Sequence, residues 1–566
     1  MPRRFRVLRS ILAFGVAALA SSAAPAAAHP QKEKDSNEPG AQAPLFDNLG
    51  RHHRTITTKS VQAQKYFDQG LNLMFAFNLE EAQRSFEAAA KLDSTCASCW
   101  WGVAFSLGPH INLPALPDRT RAAKQAVVRA LALESSATDV ERALVEALDK
   151  RYADPPPDNP EAQKALDTAY ADAMRAVMER FPDDLDVAAM YVEAMMDLRP
   201  WDLWTQDGQP QPGTLEIVST LEKILKRDPE HPGANHYYIH AVEASPHPER
   251  ALASAHRLET LVPAAGHLVH MPGHIYLRTG DYVASERINE RAVEADRALF
   301  RDFGKTPMYP LMYYTHNLHF ISMSSQMAGR YADAMKAARE VQENLAPVMQ
   351  EKSIPPDLLP FIEMFRPQPL YVMLRFGRWA EVLKEPAPDA RLLVNTAIWH
   401  AARAIACAAK RDFACADAEK GAFETARGKV PAEAGFGLNL AHDVLNVAGI
   451  VMDGRMIEAK GRRDEAIASW QSAVQAADGL SYDEPPDWFY PVRESLGGAL
   501  LRSGRMQEAE AVFRADLDRN PRNPRSLFGL WKSREAQKKS ADAAWVKRQF
   551  EASWKNAETT LRVEDL

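Results

Sequence analysis

Residues 77–93 read FNLEEAQRSFEAAAKLD and carry a helical packing pattern. Ala82, Phe86 and Ala89 recur at spacings of four and three residues, so they share one face of a helix. Alanine allows a neighbouring helix to approach closely, and the phenyl ring fills the space that remains. The segment therefore predicts one helix of a packed helical pair.

The same pattern returns along the chain. A turn followed by a helix begins at Gly280, Gly329, Gly377, Gly461 and Gly504. In the last two, the helix carries Ala466 with Trp470 and Ala509 with Phe513. Apolar residues recur at helical spacing after residue 60, and no run of alternating β-branched residues interrupts them. The fold class is therefore predicted to be all-α.

These repeated segments resemble the tetratricopeptide repeat (TPR) family, in which each unit is a helix pair of about 34 residues. The resemblance covers most of the chain after residue 60. It implies a superhelical solenoid of antiparallel helix pairs whose concave groove binds a protein, peptide or small molecule. Residues 352–369 contain five prolines, so we expect an N-terminal solenoid over 59–350 and a C-terminal solenoid over 351–566.

The first 28 residues have the layout of a secretory signal peptide. Four arginines precede an apolar stretch from Ile11 to Ala20, and a run of small residues ends at Ala28. The apolar stretch is short for a membrane span, so we expect cleavage without a remaining transmembrane anchor. The mature protein is then periplasmic or secreted. Residues 29–58 are rich in polar residues and proline, which predicts a flexible lead-in.

The charge balance bears on the partner. The whole chain has a formal net charge of −7, and losing the four arginines of the signal peptide takes it to −11. Nucleic acids and anionic lipids attract basic surfaces. The sequence therefore disfavours nucleic acid as the partner.

The four cysteines form two local pairs, Cys96 with Cys99 and Cys407 with Cys415. An oxidising compartment permits both to be disulfides. Cys407 and Cys415 flank a short turn between two helical patterns. The CxxC spacing of Cys96 and Cys99 also suits a redox or metal pair, but no second CxxC accompanies it.

Histidines provide the main functional signal, because ten of the sixteen lie between His231 and His319. Two pairs across neighbouring segments, His236 with His270 and His240 with His274, are each 34 residues apart, which is one TPR period. If equivalent positions lie side by side, the imidazoles of neighbouring helices meet. The full candidate set is His236, His240, His267, His270, His274, His316 and His319.

Such a set predicts a transition-metal site for copper, zinc or iron, since imidazole is a common ligand for all three. Two alternatives remain open at this stage. One is a metal-free groove for a peptide or small molecule, and the other is plain core packing. Glu243, at helical spacing from His240, is a candidate metal ligand or general base.

Trp201, Trp204 and Tyr313 are candidate walls of the ligand groove, because they lie in segments that interrupt the repeat rhythm close to the histidines. No HExxH, phosphate-loop or GxSxG motif is present. The sequence leaves open whether the chain is an enzyme or a binding protein, and it leaves open the identity of the metal and of the partner.

Overall fold

A computed structural model describes residues 44–356 and 358–566. The predicted signal peptide and residues 29–43 of the lead-in lie outside this range. Within it, the chain divides into two compact units. The N-terminal unit runs to Pro272 and takes up Arg291–Tyr314, and the C-terminal unit comprises Gly273–Glu290 and Thr315–Leu566.

The described residues are mainly helical. The α-helices up to the first crossing between units are Val61–Phe75, Leu79–Leu92, Ala97–Ser106, Pro117–Ala132, Asp139–Asp149, Pro160–Arg180, Leu185–Asp197, Thr214–Arg227, Pro232–Glu243, Leu252–Leu261 and Gly266–His270. Two helices carry the chain between units, Pro272–Thr279 and Tyr282–Phe303.

The C-terminal unit continues with another series of α-helices. These are Thr315–Met327, Tyr331–Asn344, Ala346–Gln350, Leu359–Phe365, Gln368–Arg375, Trp379–Val382, Leu393–Ala409, Phe413–Arg427, Ala441–Ala459, Arg463–Asp478, Arg493–Arg502, Met506–Arg519, Pro524–Ala536 and Ser540–Ser553. Strands Gly435–Phe436 and Asn439–Leu440 pair antiparallel in a two-residue ribbon. Short 3₁₀ turns cover Glu134–Ser136, Pro248–Ala251 and Val563–Asp565, and a π-helical turn covers Pro310–Tyr314.

Packing between successive hairpins follows the small–large pattern read from the sequence. Phe86 is fully buried, and a Cβ added at Gly70 or at Gly102 would lie 2.7 or 2.4 Å from its ring. Phe513 packs in the same way, with 2.4 Å for Gly497 and 2.1 Å for Gly529. One aromatic ring therefore lies against glycines of two hairpins, and the predicted all-α fold of TPR-type helix pairs is confirmed.

Turn and cap residues fix where these helices begin. The turn glycines at 280, 329, 377, 461 and 504 all have left-handed backbone angles, with φ between 64° and 79°, a conformation that glycine adopts without a Cβ clash. Helix Pro232–Glu243 begins with His231, whose Nδ1 accepts the N–H of Ala234 at 3.1 Å. Pro232 occupies the first helical position, where its missing N–H costs nothing.

The boundary expected at residue 350/351 does not coincide with the division in the structure. Apart from residue 357, the proline-rich stretch is described, and it forms two short helices, Leu359–Phe365 and Gln368–Arg375. Pro360 and Pro369 lie in the first turns of these helices, which proline tolerates. Phe365 and Tyr371 are buried, so the stretch belongs to the core of the C-terminal unit rather than to a linker.

Residues 44–58 also differ from the expected flexible lead-in. They form no helix or strand, but Leu49 and Ile56 are buried. Arg54 binds the carboxylate of Asp184 through both terminal nitrogens, at 2.7 and 2.9 Å. Burial and charged hydrogen bonds therefore anchor this part of the lead-in to the N-terminal unit.

Both cysteine pairs form disulfides in the structure, Cys96 with Cys99 and Cys407 with Cys415. Among the described residues, no helix is both long and apolar enough to cross a membrane.

Candidate metal centre

Three imidazoles of the N-terminal unit meet between two helices. His236 and His240 lie on helix Pro232–Glu243, and His267 lies on helix Gly266–His270, which begins 34 residues later. The Nε2 atoms of His236 and His267 are 3.1 Å apart, and one ring nitrogen from each of the three histidines lies within 4.8 Å of the others. Tetrahedral zinc, with Zn–N of about 2.0–2.1 Å, holds its ligand nitrogens about 3.3 Å apart. The spacing therefore fits ligation of one ion.

In two of these rings, Nδ1 makes a hydrogen bond on the side of the ring away from Nε2. Nδ1 of His236 donates to the carbonyl oxygen of Phe75 at 2.6 Å, and Nδ1 of His240 donates to Oε1 of Glu243 at 2.7 Å. Because a carbonyl or carboxylate only accepts, the proton lies on Nδ1 and the Nε2 lone pair points the other way. Histidines that bind metals are typically oriented by such a bond.

Glu243 is fully buried and lies behind His240. Its hydrogen bond to Nδ1 fixes the tautomer and the orientation of the ring. The structure thus gives the candidate general base a positioning role toward His240.

Burial sets the protonation state of the centre. It lowers the pKa of His240 to about 3. Burial also lowers the pKa of the neighbouring His110 to about 3, with the positive charge of Arg119 adding to the effect. The imidazole of His240 is therefore neutral near pH 7, which is the form that ligates metals.

Phe77 packs against all three rings. Its ring centroid lies 4.5 Å from that of His236, 5.7 Å from His267 and 6.1 Å from His240. The φ of Phe77 is 54°, in the left-handed region that disfavours residues with a Cβ. Five later turns have glycine at this position, as in Gly280, whereas Arg411 and Lys538 have the same left-handed φ as Phe77. The ring of Phe77 therefore lies against the histidines at a cost in backbone strain that glycine would avoid.

Aromatic residues also form one side of the centre. The ring of Trp201 lies 5.5 Å from His240, and its indole N–H donates to Oδ1 of Asn112 at 3.1 Å. Trp201 has a left-handed φ of 57°, like Phe77. The indole N–H of Trp204 donates to the carbonyl oxygen of Ala241 at 2.8 Å. Both tryptophans of the predicted groove therefore border the histidine-bearing helix.

The residues that follow helix Tyr282–Phe303, up to Tyr314, form a further side of the centre. After helix Tyr282–Phe303, the chain returns so that the ring of Tyr313 lies 4.6 Å from that of His267. The hydroxyl of Tyr309 accepts the backbone N–H of His267 at 3.1 Å and donates to Oδ1 of Asp296 at 3.0 Å. The segment that follows helix Tyr282–Phe303 thus fixes the start of the helix that carries His267.

The remaining predicted ligands are distributed over both units. In the N-terminal unit, the rings of His267 and His270 are 5.6 Å apart. In the C-terminal unit, the ring of His274 lies 5.7 Å from that of His316, and its Nδ1 lies 2.5 Å from Oε2 of Glu484. His319 packs against Phe365 at 5.6 Å, and burial lowers its pKa to about 3.

The contact that the structure shows between neighbouring histidine-bearing segments differs from the pairing of His236 with His270 read from the 34-residue period. Nε2 of His236 lies 3.1 Å from Nε2 of His267, 31 residues along the chain. The helix starts keep the period, but the contact runs diagonally from the fifth residue of one helix to the second of the next. Residues three apart share a helix face, so a diagonal contact preserves the cluster.

A second histidine group was not anticipated from the sequence. Oδ1 of Asp186 lies 2.8 Å from Nε2 of His52 and 3.2 Å from Nε2 of His231, and its Oδ2 accepts from Arg54 at 3.1 Å. Since Nδ1 of His231 accepts from a backbone N–H, Nε2 of this ring carries the proton and faces Oδ1 of Asp186 across 3.2 Å. These residues therefore form an anchor of donors on one carboxylate rather than a metal site. Their separation in sequence gave no signal.

No family model matches this sequence, and no curated protein matches it. Similar solved structures include a human IFIT1 dimer with m7Gppp-AAAA (11% identity, TM-score 0.34, 81% of this chain and 90% of that chain). Others are the TPR domain of P58(IPK) (14%, 0.20, 84% and 99%) and yeast Tom70 (10%, 0.28, 87% and 92%). The m7Gppp-AAAA belongs to the IFIT1 structure, and at this similarity it says nothing about the ligand of the present chain.

Proposed function

We propose that this chain is an exported TPR-type protein that binds one copper, zinc or iron ion through His236, His240 and His267. The ion holds or activates a protein, peptide or small-molecule ligand beside Phe77 and Trp201. The main support is the pair of hydrogen bonds that hold His236 and His240 by Nδ1 while nitrogen atoms of all three rings lie within 4.8 Å.

The number of ligands supports a site that accepts a further group. Three histidines leave at least one coordination position of a tetrahedral ion for an exogenous ligand, whereas structural zinc sites use four protein ligands. The aromatic rings around the histidines give that ligand an apolar surface to contact. The acidic mature chain favours a protein, peptide or small molecule over nucleic acid.

Export is supported by the layout of residues 1–28 and by the two disulfides, which persist in oxidising compartments. Cell fractionation and mass spectrometry of the mature N-terminus test this part. We expect a periplasmic or secreted chain that begins at His29. A full-length chain in the cytoplasm would contradict it.

A metal-free interaction scaffold is the second candidate. The 3.1 Å between Nε2 of His236 and Nε2 of His267 is also the length of an N–H···N hydrogen bond. In that case the histidines stabilise the core, and the ligand binds without an ion. The two functions differ in metal content and in the effect of metal on ligand binding.

Metal content of the chain purified from its native compartment separates these functions. We expect about one equivalent of copper, zinc or iron in the wild type and loss of that ion in His236→Ala and His267→Ala. The exposed His247 provides the control, because it pairs with exposed Glu249 away from the centre. His247→Ala should retain the ion. Absence of stoichiometric metal, with binding unaffected by reconstitution, would favour the scaffold.

A further inference from the structure

A cavity of about 1140 Å³ in the C-terminal unit is lined by seven arginines. Four of them, Arg375, Arg455, Arg502 and Arg525, lie on four different helices. We call this space the arginine cavity. Ion pairs join Arg375 to Glu494 and Arg502 to Glu458. Among the lining residues before 559, six arginines face the two carboxylates of Glu458 and Glu494, which leaves a surplus of positive charge.

Residues 559–566 of the same chain line one side of the arginine cavity. Three of the arginines donate to main-chain carbonyl oxygens of this segment: Arg502 to Val563 at 2.5 Å, Arg525 to Asp565 at 2.8 Å and Arg455 to Leu566 at 3.1 Å. Main-chain contacts of this kind recognise an extended segment and its register.

Charge and shape both favour this segment. The carboxylate of Asp565 pairs with Arg562 of the same segment at 2.9 Å, and its negative charge also opposes the loss of the proton from Arg525. The charge of the exposed Glu564 has the same effect on Arg502. Burial and the neighbouring Arg375 lower the pKa of Arg525 to about 9. An anion in the arginine cavity therefore stabilises its buried guanidinium groups.

Leucine side chains secure the two ends of the segment. Leu566 is 1% exposed and Leu561 is 8% exposed. A Cβ added at Gly498 would lie 2.6 Å from Cβ of Leu566, so the glycine makes room for the leucine. Between these two residues the chain forms only the short turn Val563–Asp565, and Arg562 and Glu564 are exposed.

We propose that the arginine cavity is a peptide-binding site, that residues 559–566 are its built-in competitor, and that its external ligand is a peptide with an acidic pair followed by leucine. The segment is displaceable because a few carbonyl contacts and two leucines hold a stretch with little regular structure. Binding at the arginine cavity is thus controlled by release of the chain's own segment. These residues are separate from the proposed metal centre, so the two proposals stand or fall independently.

The test severs the segment after folding. A protease recognition sequence is inserted at the exposed residues Lys555 and Asn556, and the folded protein is cleaved and freed of the fragment. Binding of a fluorescent peptide of residues 559–566 is then measured by anisotropy. We expect the cleaved protein to bind the peptide at least tenfold more tightly than the uncut protein. A peptide with Glu564→Gln and Asp565→Asn should bind at least tenfold more weakly, and added salt should weaken binding of the native peptide.

Two results would overturn the proposal. One is a cleaved protein that keeps its circular dichroism spectrum but does not bind the peptide. The other is equal binding by cleaved and uncut protein, which would locate peptide binding elsewhere. Hydrogen exchange on the uncut chain gives a readout that needs no removal of the segment. Saturating peptide should increase exchange in residues 559–566, and unchanged exchange counts against displacement.

Discussion

Replacing Glu243 tests the positioning role that the structure gives this residue. Its carboxylate accepts the Nδ1 proton of His240 at 2.7 Å, and the two side chains are 1% and 3% exposed, so water and salt screen the contact little. Loss of such an outer partner typically lowers metal affinity 10- to 100-fold, or about 1.4–2.7 kcal/mol. Glutamine still offers an acceptor oxygen without the charge, whereas alanine offers none. We expect about a tenfold loss for Glu243→Gln and about a hundredfold loss for Glu243→Ala.

Competition with a chromophoric chelator measures these affinities, and thermal unfolding of the metal-free variants checks that the fold is intact. Glu249→Gln is the matched control, because Glu249 binds the exposed His247 at 3.1 Å and should change affinity less than twofold. Wild-type affinity in both Glu243 variants would refute the positioning role. A loss in Glu243→Gln as large as that in His240→Ala would mean that the carboxylate itself ligates the ion.

Three further predictions concern the surroundings of the centre. Phe77→Gly relieves about 1 kcal/mol of left-handed strain but removes a buried ring whose loss costs about 3–5 kcal/mol, so it should lower the unfolding free energy by about 2–4 kcal/mol. It should also speed metal dissociation at least tenfold in stopped-flow chelation, and an unchanged dissociation rate would count against a role for the ring. Asp186→Asn should lower the unfolding free energy by about 3 kcal/mol in urea titrations, because it weakens a buried acceptor of His52, His231 and Arg54. Burial favours the neutral forms of Asp186 and His52, but hydrogen bonds and charge prevail, so the pKa of Asp186 falls well below its usual value and the pKa of His52 rises. The carboxylate contribution to stability is lost as pH falls below about 4, and the histidine contribution is lost as pH rises above about 6.5. The destabilisation by Asp186→Asn should therefore be largest between these pH values, and a pH-independent destabilisation would contradict the assignment. Phe86→Ala should cost about 3–5 kcal/mol, because the ring lies between Gly70 and Gly102, whereas Val128→Ala at an exposed position should cost little; equal effects would contradict the packing.

The repeat fold was predictable because its signal is local. The alternation of small and large residues, such as Ala82 with Phe86, reflects packing within one helix pair and recurs with every pair. The left-handed turn glycines mark where one helix ends and the next begins. The division into units was not predictable in this way. It depends on long-range contacts, and the prolines that indicated a boundary lie in the first turns of short helices.

The candidate centre was predictable only in part. The period of 34 residues identified the helices that carry His236, His240 and His267, but the diagonal contact depends on how neighbouring helices pack. Phe77 and His110 come from a turn and a loop more than 120 residues before His236. Neither residue lies at a helical or 34-residue spacing from the histidines of the centre. The sequence does contain one clue to Phe77, which is an aromatic residue at a turn position where five later turns have glycine.

X-ray absorption of the chain loaded with one equivalent of zinc tests the proposed centre most directly. We expect three imidazole nitrogens at about 2.0–2.1 Å with the scattering pattern of histidine rings, and one imidazole fewer in His267→Ala. A spectrum with one imidazole or none, or one that is unchanged in His267→Ala, would contradict ligation by His236, His240 and His267.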